Sequence, residues 1–143
     1  MTQLPIVKEI LLNAPVDIVW RAITDPEEFR SWYFDIPVFK AETGFQFHFY
    51  GENREGKKYK HLSEVKEVVP MQKLSYSWKY EGYEGDSLVT FELFPEGEQT
   101  LLRLIHTGLD TFPDDNTDFA PSNFEGGWEA IICESLKNAL EQR

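Results

Sequence analysis

His106 and Tyr76 are the two side chains of this sequence that could together serve as a general acid and base. His106 follows Leu102 and Leu104 at two-residue intervals, so its imidazole is expected to point to the same side of a strand as those leucines. A proton donor or acceptor in a closed site could carry acid–base catalysis. The competing interpretation is a core histidine that bonds a neighbouring backbone group or hydroxyl.

The other candidates for reactive chemistry are weaker. A nucleophilic Cys133 would need a lowered thiol pKa and a neighbouring base. On a helical wheel it lies beside the stripe formed by Trp128 and Ile132, which predicts an inert helical thiol. His48 has the parity of a solvent-facing residue, and the direction of His61 stays open.

Two groups of carboxylates could also act as ligands or catalysts. Glu27 and Glu28 are adjacent, and neighbours on a helix point about 100° apart, so they are expected to favour the positive end of a helix rather than to form an acid–base pair. The loop 110–118 holds oxygen ligands of the kind that calcium takes, which are Asp114, Asp115, Asn116 and Asp118.

That loop lacks the ligand spacing of a calcium hand, and a solvated acidic loop is the interpretation that its composition favours. Phe112 and Phe119 could anchor it, which makes a lid over the interior a further hypothesis. We expect no metal and no cofactor.

The elements that must position these residues begin with a strand over Leu4 to Leu12. Two short helices follow. In the first, apolar residues recur at helical spacing from Val16 to Ile23; Asp25 is expected to cap the second, with Pro26 in its first turn.

From Phe39 to Thr107 the apolar residues recur every second position, which predicts antiparallel strands in a meander because turn signals separate the runs. Helical spacing returns over a long helix from Asn123 to Glu141. The predicted order, β-α-α-β-β-β-β-β-α, is that of an α+β fold in one domain that spans residues 1–143.

Composition limits the possible partners. The 143 residues include 14 Lys and Arg against 25 Asp and Glu, a net charge of −11, which disfavours nucleic acid and anionic membranes as partners. Aromatic residues make up 15% of the chain, enough to support a packed core.

One cysteine excludes an internal disulfide, and no signal peptide or membrane span is visible, so a cytoplasmic location is expected.

Several segments resemble the START-like helix-grip (SRPBCC) superfamily, specifically its branch named after the activator of the heat-shock ATPase chaperone, in the stand-alone bacterial form. They are APVDIVWRAITDPEEFRSWY (14–33), EVVPMQKLSYSW (67–78), VTFELFPEGEQTLLRLIHTG (89–108) and the GW pair at 127–128. The resemblance covers nearly the whole chain. It implies a curved antiparallel sheet that wraps around a long C-terminal helix, with a cavity between them.

The resemblance also implies that this cavity takes a small hydrophobic molecule, expected to be aromatic and bound without catalysis. The expected contacts are inward aromatic residues and one histidine: Trp32, Phe47, Phe49, Tyr76, Trp78, Phe91, His106 and Trp128. Each of them could instead simply fill a core.

Two other functions stay open. One is an enzyme like the polyketide cyclases and aromatases among the START-like relatives, for which His106 and Tyr76 are the only candidate pair. The other is regulation of a chaperone ATPase, with a stress-response role, which the family name suggests. The chain begins at the first predicted strand, so we expect it to lack the separate N-terminal domain of the eukaryotic co-chaperones.

Overall fold

A single antiparallel sheet carries most of the chain. The computed structural model describes residues 5–53, 55–113 and 115–141. The strands are β1 (Ile6–Leu12), β2 (Gln46–Glu52), β3 (Lys58–Val69), β4 (Lys73–Tyr80), β5 (Ser87–Glu96) and β6 (Gln99–Thr107). Residue 4, with which the predicted first strand began, lies outside the described residues.

The strands lie in the order β1-β6-β5-β4-β3-β2, so β2 to β6 form the predicted meander and β1 pairs with its last strand. The sheet is curved and open, and the α+β helix-grip prediction is confirmed. A register shift between Val65 and Glu67 interrupts the pairing of β3 with β4. Such bulges bend a strand and increase its twist.

Two short helices, α1 (Val16–Thr24) and α2 (Pro26–Trp32), connect β1 to the loop before β2. The Asp25 side chain accepts hydrogen bonds from the backbone N–H groups of Glu27 and Glu28, which confirms the predicted cap. Both glutamates lie in the first turn of α2, as expected from the helix dipole.

The C-terminal helix differs from the uninterrupted α-helix predicted over 123–141. It consists of α3 (Pro121–Ala130), a π-helical segment (Ile131–Leu136) and α4 (Lys137–Glu141). Its buried side chains repeat every fourth residue, and they are Phe124, Trp128, Ile132, Leu136 and Leu140.

A four-residue repeat explains the π-helical segment. In an α-helix each step of four residues rotates the side chain by about 40° away from the previous one, because each residue turns about 100°. A wider π turn reduces that drift and so helps to keep all five side chains toward the sheet. Among the described residues, no helix is both long enough and apolar enough to cross a membrane.

Candidate functional site

An aromatic layer fills the space between the sheet and the C-terminal helix. All eight predicted contact residues lie in it and are buried: Trp32, Phe47, Phe49, Tyr76, Trp78, Phe91, His106 and Trp128. Their burial agrees with the predicted inward direction. Their role as ligand contacts stays a prediction.

The strands place these side chains by simple alternation. Phe47 and Phe49 project inward from β2, and Tyr76 and Trp78 project inward from β4, because each pair is two residues apart. The rings then contact rings from other strands. Phe47 lies 5.2 Å from Tyr76 and Phe49 lies 5.6 Å from Trp78, measured between ring centroids.

The helix joins this layer through Trp128. Its ring centroid is 5.4 Å from that of Trp78 and 6.4 Å from that of Phe91. A hydrogen bond also holds the helix against α2, because Ser135 Oγ donates to the Trp32 carbonyl at 2.6 Å. The interior is therefore hydrophobic and rich in aromatic rings that touch one another.

His106 belongs to a chain of hydrogen bonds that crosses the layer. Trp128 Nε1 donates to His106 Nδ1 at 2.9 Å, and His106 Nε2 lies 2.8 Å from Ser87 Oγ. Ser87 Oγ in turn donates to the Trp78 carbonyl at 2.7 Å. Since Nδ1 accepts and the Ser87 hydrogen is already used, the imidazole proton lies on Nε2.

This arrangement keeps His106 neutral. Burial lowers the pKa of its imidazole to about 3, and the hydrogen-bond chain satisfies both ring nitrogens. Its geometry matches the interpretation as a core histidine.

Tyr76 bonds a different partner. Its hydroxyl lies 2.7 Å from the hydroxyl of Tyr33, and burial raises the pKa of both phenols. The structure therefore does not join His106 and Tyr76 as an acid–base pair. Each is hydrogen-bonded to another residue.

Sequence reasoning missed part of the aromatic layer. Tyr33 and Phe34 follow directly after α2, where no periodicity marks them, yet Tyr33 stacks on Phe29 at 4.6 Å. His61 and Tyr80 do carry a signal, because each continues a two-residue alternation along its strand.

His61 is buried in this layer. Its ring stacks on Phe49 at 4.5 Å, and its Nδ1 lies 3.1 Å from the Tyr59 carbonyl, to which it donates. Burial lowers its pKa to about 4. The neighbouring strand accommodates it with Gly51, where a Cβ would lie 2.9 Å from His61 Cε1. His48, in contrast, is exposed as predicted.

The predicted acidic loop folds over one end of the layer. It contains two 3₁₀ turns, Leu109–Thr111 and Thr117–Phe119, while Asp114 lies outside the described residues. Phe112 and Phe119 are both buried, as expected for anchors, and their ring centroids are 5.6 Å apart.

Hydrogen bonds to Asp118 connect this loop to the hairpin between β2 and β3. Asp118 accepts hydrogen bonds from the hydroxyl of Tyr59 and from Asn53 Nδ2, the latter at 3.0 Å. The Tyr59 bond, followed by the Asn53 bond, lowers the pKa of the Asp118 carboxyl. Among the described residues, no group of three or more His, Cys, Asp or Glu could hold a metal ion.

Cys133 is half-buried on the π-helical segment, beside the apolar stripe. Burial raises the pKa of its thiol, and the charge of Glu129 raises it further. Both effects oppose thiolate formation, which fits the predicted inert thiol.

The outer face of the sheet carries a polar recess of about 470 Å³, formed mainly by residues of β2, β3 and β4. Lysines 60, 66 and 79 contribute to its lining. This recess lies on the face away from the C-terminal helix, whereas the interior space is occupied by rings.

Comparison with protein families matches residues 13–141 to Activator of Hsp90 ATPase homolog 1-like protein. Protein MLL2253 from Mesorhizobium loti is 28% identical, with a TM-score of 0.79, covering 97% of this chain and 98% of the other. CalU16 from Micromonospora echinospora is 28% identical, with a TM-score of 0.71, covering 93% and 71%.

DynU16, a protein in the dynemicin biosynthetic locus, is 23% identical, with a TM-score of 0.77 over 96% of this chain. The match spans only 47% of DynU16, so this chain corresponds to about half of that protein, and the likeness concerns the fold. Comparison with curated proteins found no match.

Proposed function

The chain belongs to the family of Activator of Hsp90 ATPase homolog 1-like proteins, and we propose that it binds a small hydrophobic, aromatic molecule between the sheet and the C-terminal helix without changing it chemically. The observation that carries the proposal is the aromatic layer itself. Its rings include several with polar tips, which binding sites use to orient a ligand.

A ligand must displace rings to enter, so binding requires movement of an element that covers the layer. The C-terminal helix is one candidate, because its π-helical segment lies over the interior, and π turns are frequent at functional sites. The acidic loop is the other, because its polar contacts at Asp118 could open while Phe112 and Phe119 keep it anchored. Its role as a lid is part of the proposal.

The test is a titration of the ¹⁵N-labelled protein with planar aromatic probes, namely benzene, acetophenone and 2-naphthol, followed by amide shifts. We expect saturable shifts at Tyr76, Trp78 and Trp128, with unchanged amides at the exposed residues of β1. The proposal fails if none of the probes shifts the three interior residues.

Regulation of a chaperone ATPase is the second candidate, and the family description is what favours it. A pull-down of the chain with a heat-shock ATPase tests it, and absence of a complex would remove it. A cytoplasmic location and a stress-response role stay predictions of the sequence.

A further inference from the structure

Ser63 is a buried polar residue whose hydroxyl lacks a partner. It lies in β3 opposite Phe47 of β2 and shares the inward parity of His61 and Val65, and both Ser63 and Phe47 also border the outer recess. Only 6% of Ser63 is exposed. Among the described residues, its Oγ is a buried side-chain polar atom without a hydrogen-bond partner.

The other polar side chains of the aromatic layer contrast with it. Ser87 and His106 bond each other, Tyr33 bonds Tyr76, and His61 donates to a backbone carbonyl. An unmade hydrogen bond in a buried site costs free energy, and such groups are uncommon in folded proteins. An orphan hydroxyl in the wall of a proposed binding site therefore indicates a missing partner.

We propose that the Ser63 hydroxyl is the polar contact for the interior ligand, and that this ligand is an uncharged aromatic molecule with a hydrogen-bond-accepting oxygen. This inference rests on the proposed function. A serine hydroxyl can donate and accept, and the proposal assigns the Ser63 hydroxyl the donor role toward a ligand oxygen.

The absence of charge follows from the surroundings. The buried described residues include no Asp, Glu, Lys or Arg, and burial keeps His61 beside Ser63 neutral at physiological pH, whereas Lys60, Lys66 and Lys79 line the recess on the outer face. A charged ligand would therefore lose its hydration without gaining a counter-ion. The Phe47 ring, opposite Ser63 in the sheet, supplies apolar surface for the aromatic part.

The test compares acetophenone with α-methylstyrene, which has the same shape but carries a CH₂ group in place of the carbonyl oxygen. Dissociation constants for both probes are measured by NMR titration for the unmutated chain, for Ser63→Ala and for Ser75→Ala. Ser75 is the matched control, since it is a buried serine on β4 whose parity directs it to the opposite face.

In Ser63→Ala we expect binding of acetophenone to weaken by about 2-fold to 10-fold relative to α-methylstyrene, the range that one net hydrogen bond supplies. Ser75→Ala should keep the ratio of the unmutated chain. Melting curves and amide spectra check that both variants fold.

An equal ratio in the unmutated chain and in Ser63→Ala would overturn the assignment of Ser63 and leave the proposed function standing. If neither probe shifts the interior residues Trp78 and Trp128, the proposed function fails and this inference fails with it. A change of ratio that Ser75→Ala reproduces would also overturn the assignment, because it would not depend on the inward hydroxyl.

Discussion

Trp128 donates its indole hydrogen to Nδ1 of His106, so a residue of the C-terminal helix determines the tautomer of a histidine in the sheet. The bond is buried and 2.9 Å long. His106 in turn donates from Nε2 to Ser87 Oγ on β5, so one chain of hydrogen bonds joins the helix to two strands. This contact gives the helix a defined position over the aromatic layer.

Replacement of Trp128 by Phe should destabilise the protein by about 1–3 kcal/mol, because Nδ1 of His106 is then buried without a partner. Urea denaturation measures the change. Trp20→Phe is the control, since Trp20 lies half-buried on α1. Equal losses in the two variants would contradict a specific role for the Trp128 hydrogen bond.

The hydroxyls of Tyr33 and Tyr76 should behave as a coupled pair. Either single change to Phe leaves one buried hydroxyl unpartnered and should cost about 1–3 kcal/mol of unfolding free energy. The double variant should cost less than the sum, because it leaves no orphan. Strict additivity in a double-mutant cycle would argue against the bond.

Stability should fall in acid partly because two histidines are buried and neutral. The pKa of His61 is lowered to about 4 and that of His106 to about 3, both from 6.5. Below about pH 6.5 the unfolded chain binds protons that the folded chain does not, so stability is full above that pH and is lost as the pH falls toward the folded-state pKa values.

His61→Phe removes one of these groups. Between pH 6 and pH 4.5 we expect the slope of unfolding free energy against pH to decrease by about 1.2 kcal/mol per unit. Urea denaturation at several pH values measures it, and His48→Gln, at an exposed position, is the control. The same slope in His61→Phe and in the unmutated chain would show that His61 is not buried in its neutral form.

The sequence predicted the sheet well because its strands have one buried face, and alternation reports that directly. Phe47, Phe49, Tyr76 and Trp78 all point inward as their spacing indicated. The capping of α2 by Asp25 involves only residues close to it in the sequence, so the sequence could predict it as well.

What the sequence could not show depends on contacts between distant segments. The partner of Tyr76 is Tyr33, 43 residues away in a segment without periodicity. The π-helical segment has a visible cause in the repeat from Phe124 to Leu140, but a spacing of four is compatible with either helix type over one turn. Whether the rings fill the interior or leave a cavity depends on side-chain packing, which periodicity does not contain.

The acidic loop should open more readily without its Asp118 contacts. In Asp118→Ala we expect faster hydrogen exchange in residues 109–113 and 115–120, with unchanged exchange in β4 and β5, because Tyr59 and Asn53 lose their acceptor. Asp110→Ala, an exposed aspartate of the same loop, is the control. The lid hypothesis fails if this loop exchanges as slowly as the central strands in the unmutated chain.

Intermolecular NOEs from bound acetophenone test most directly whether the aromatic interior is the binding site. We expect NOEs from the acetophenone methyl and ring protons to ring protons of Tyr76, Trp78 and Trp128. NOEs confined to the outer recess, at Leu62 and His48, would contradict this expectation, because they would place the ligand on the opposite face of the sheet.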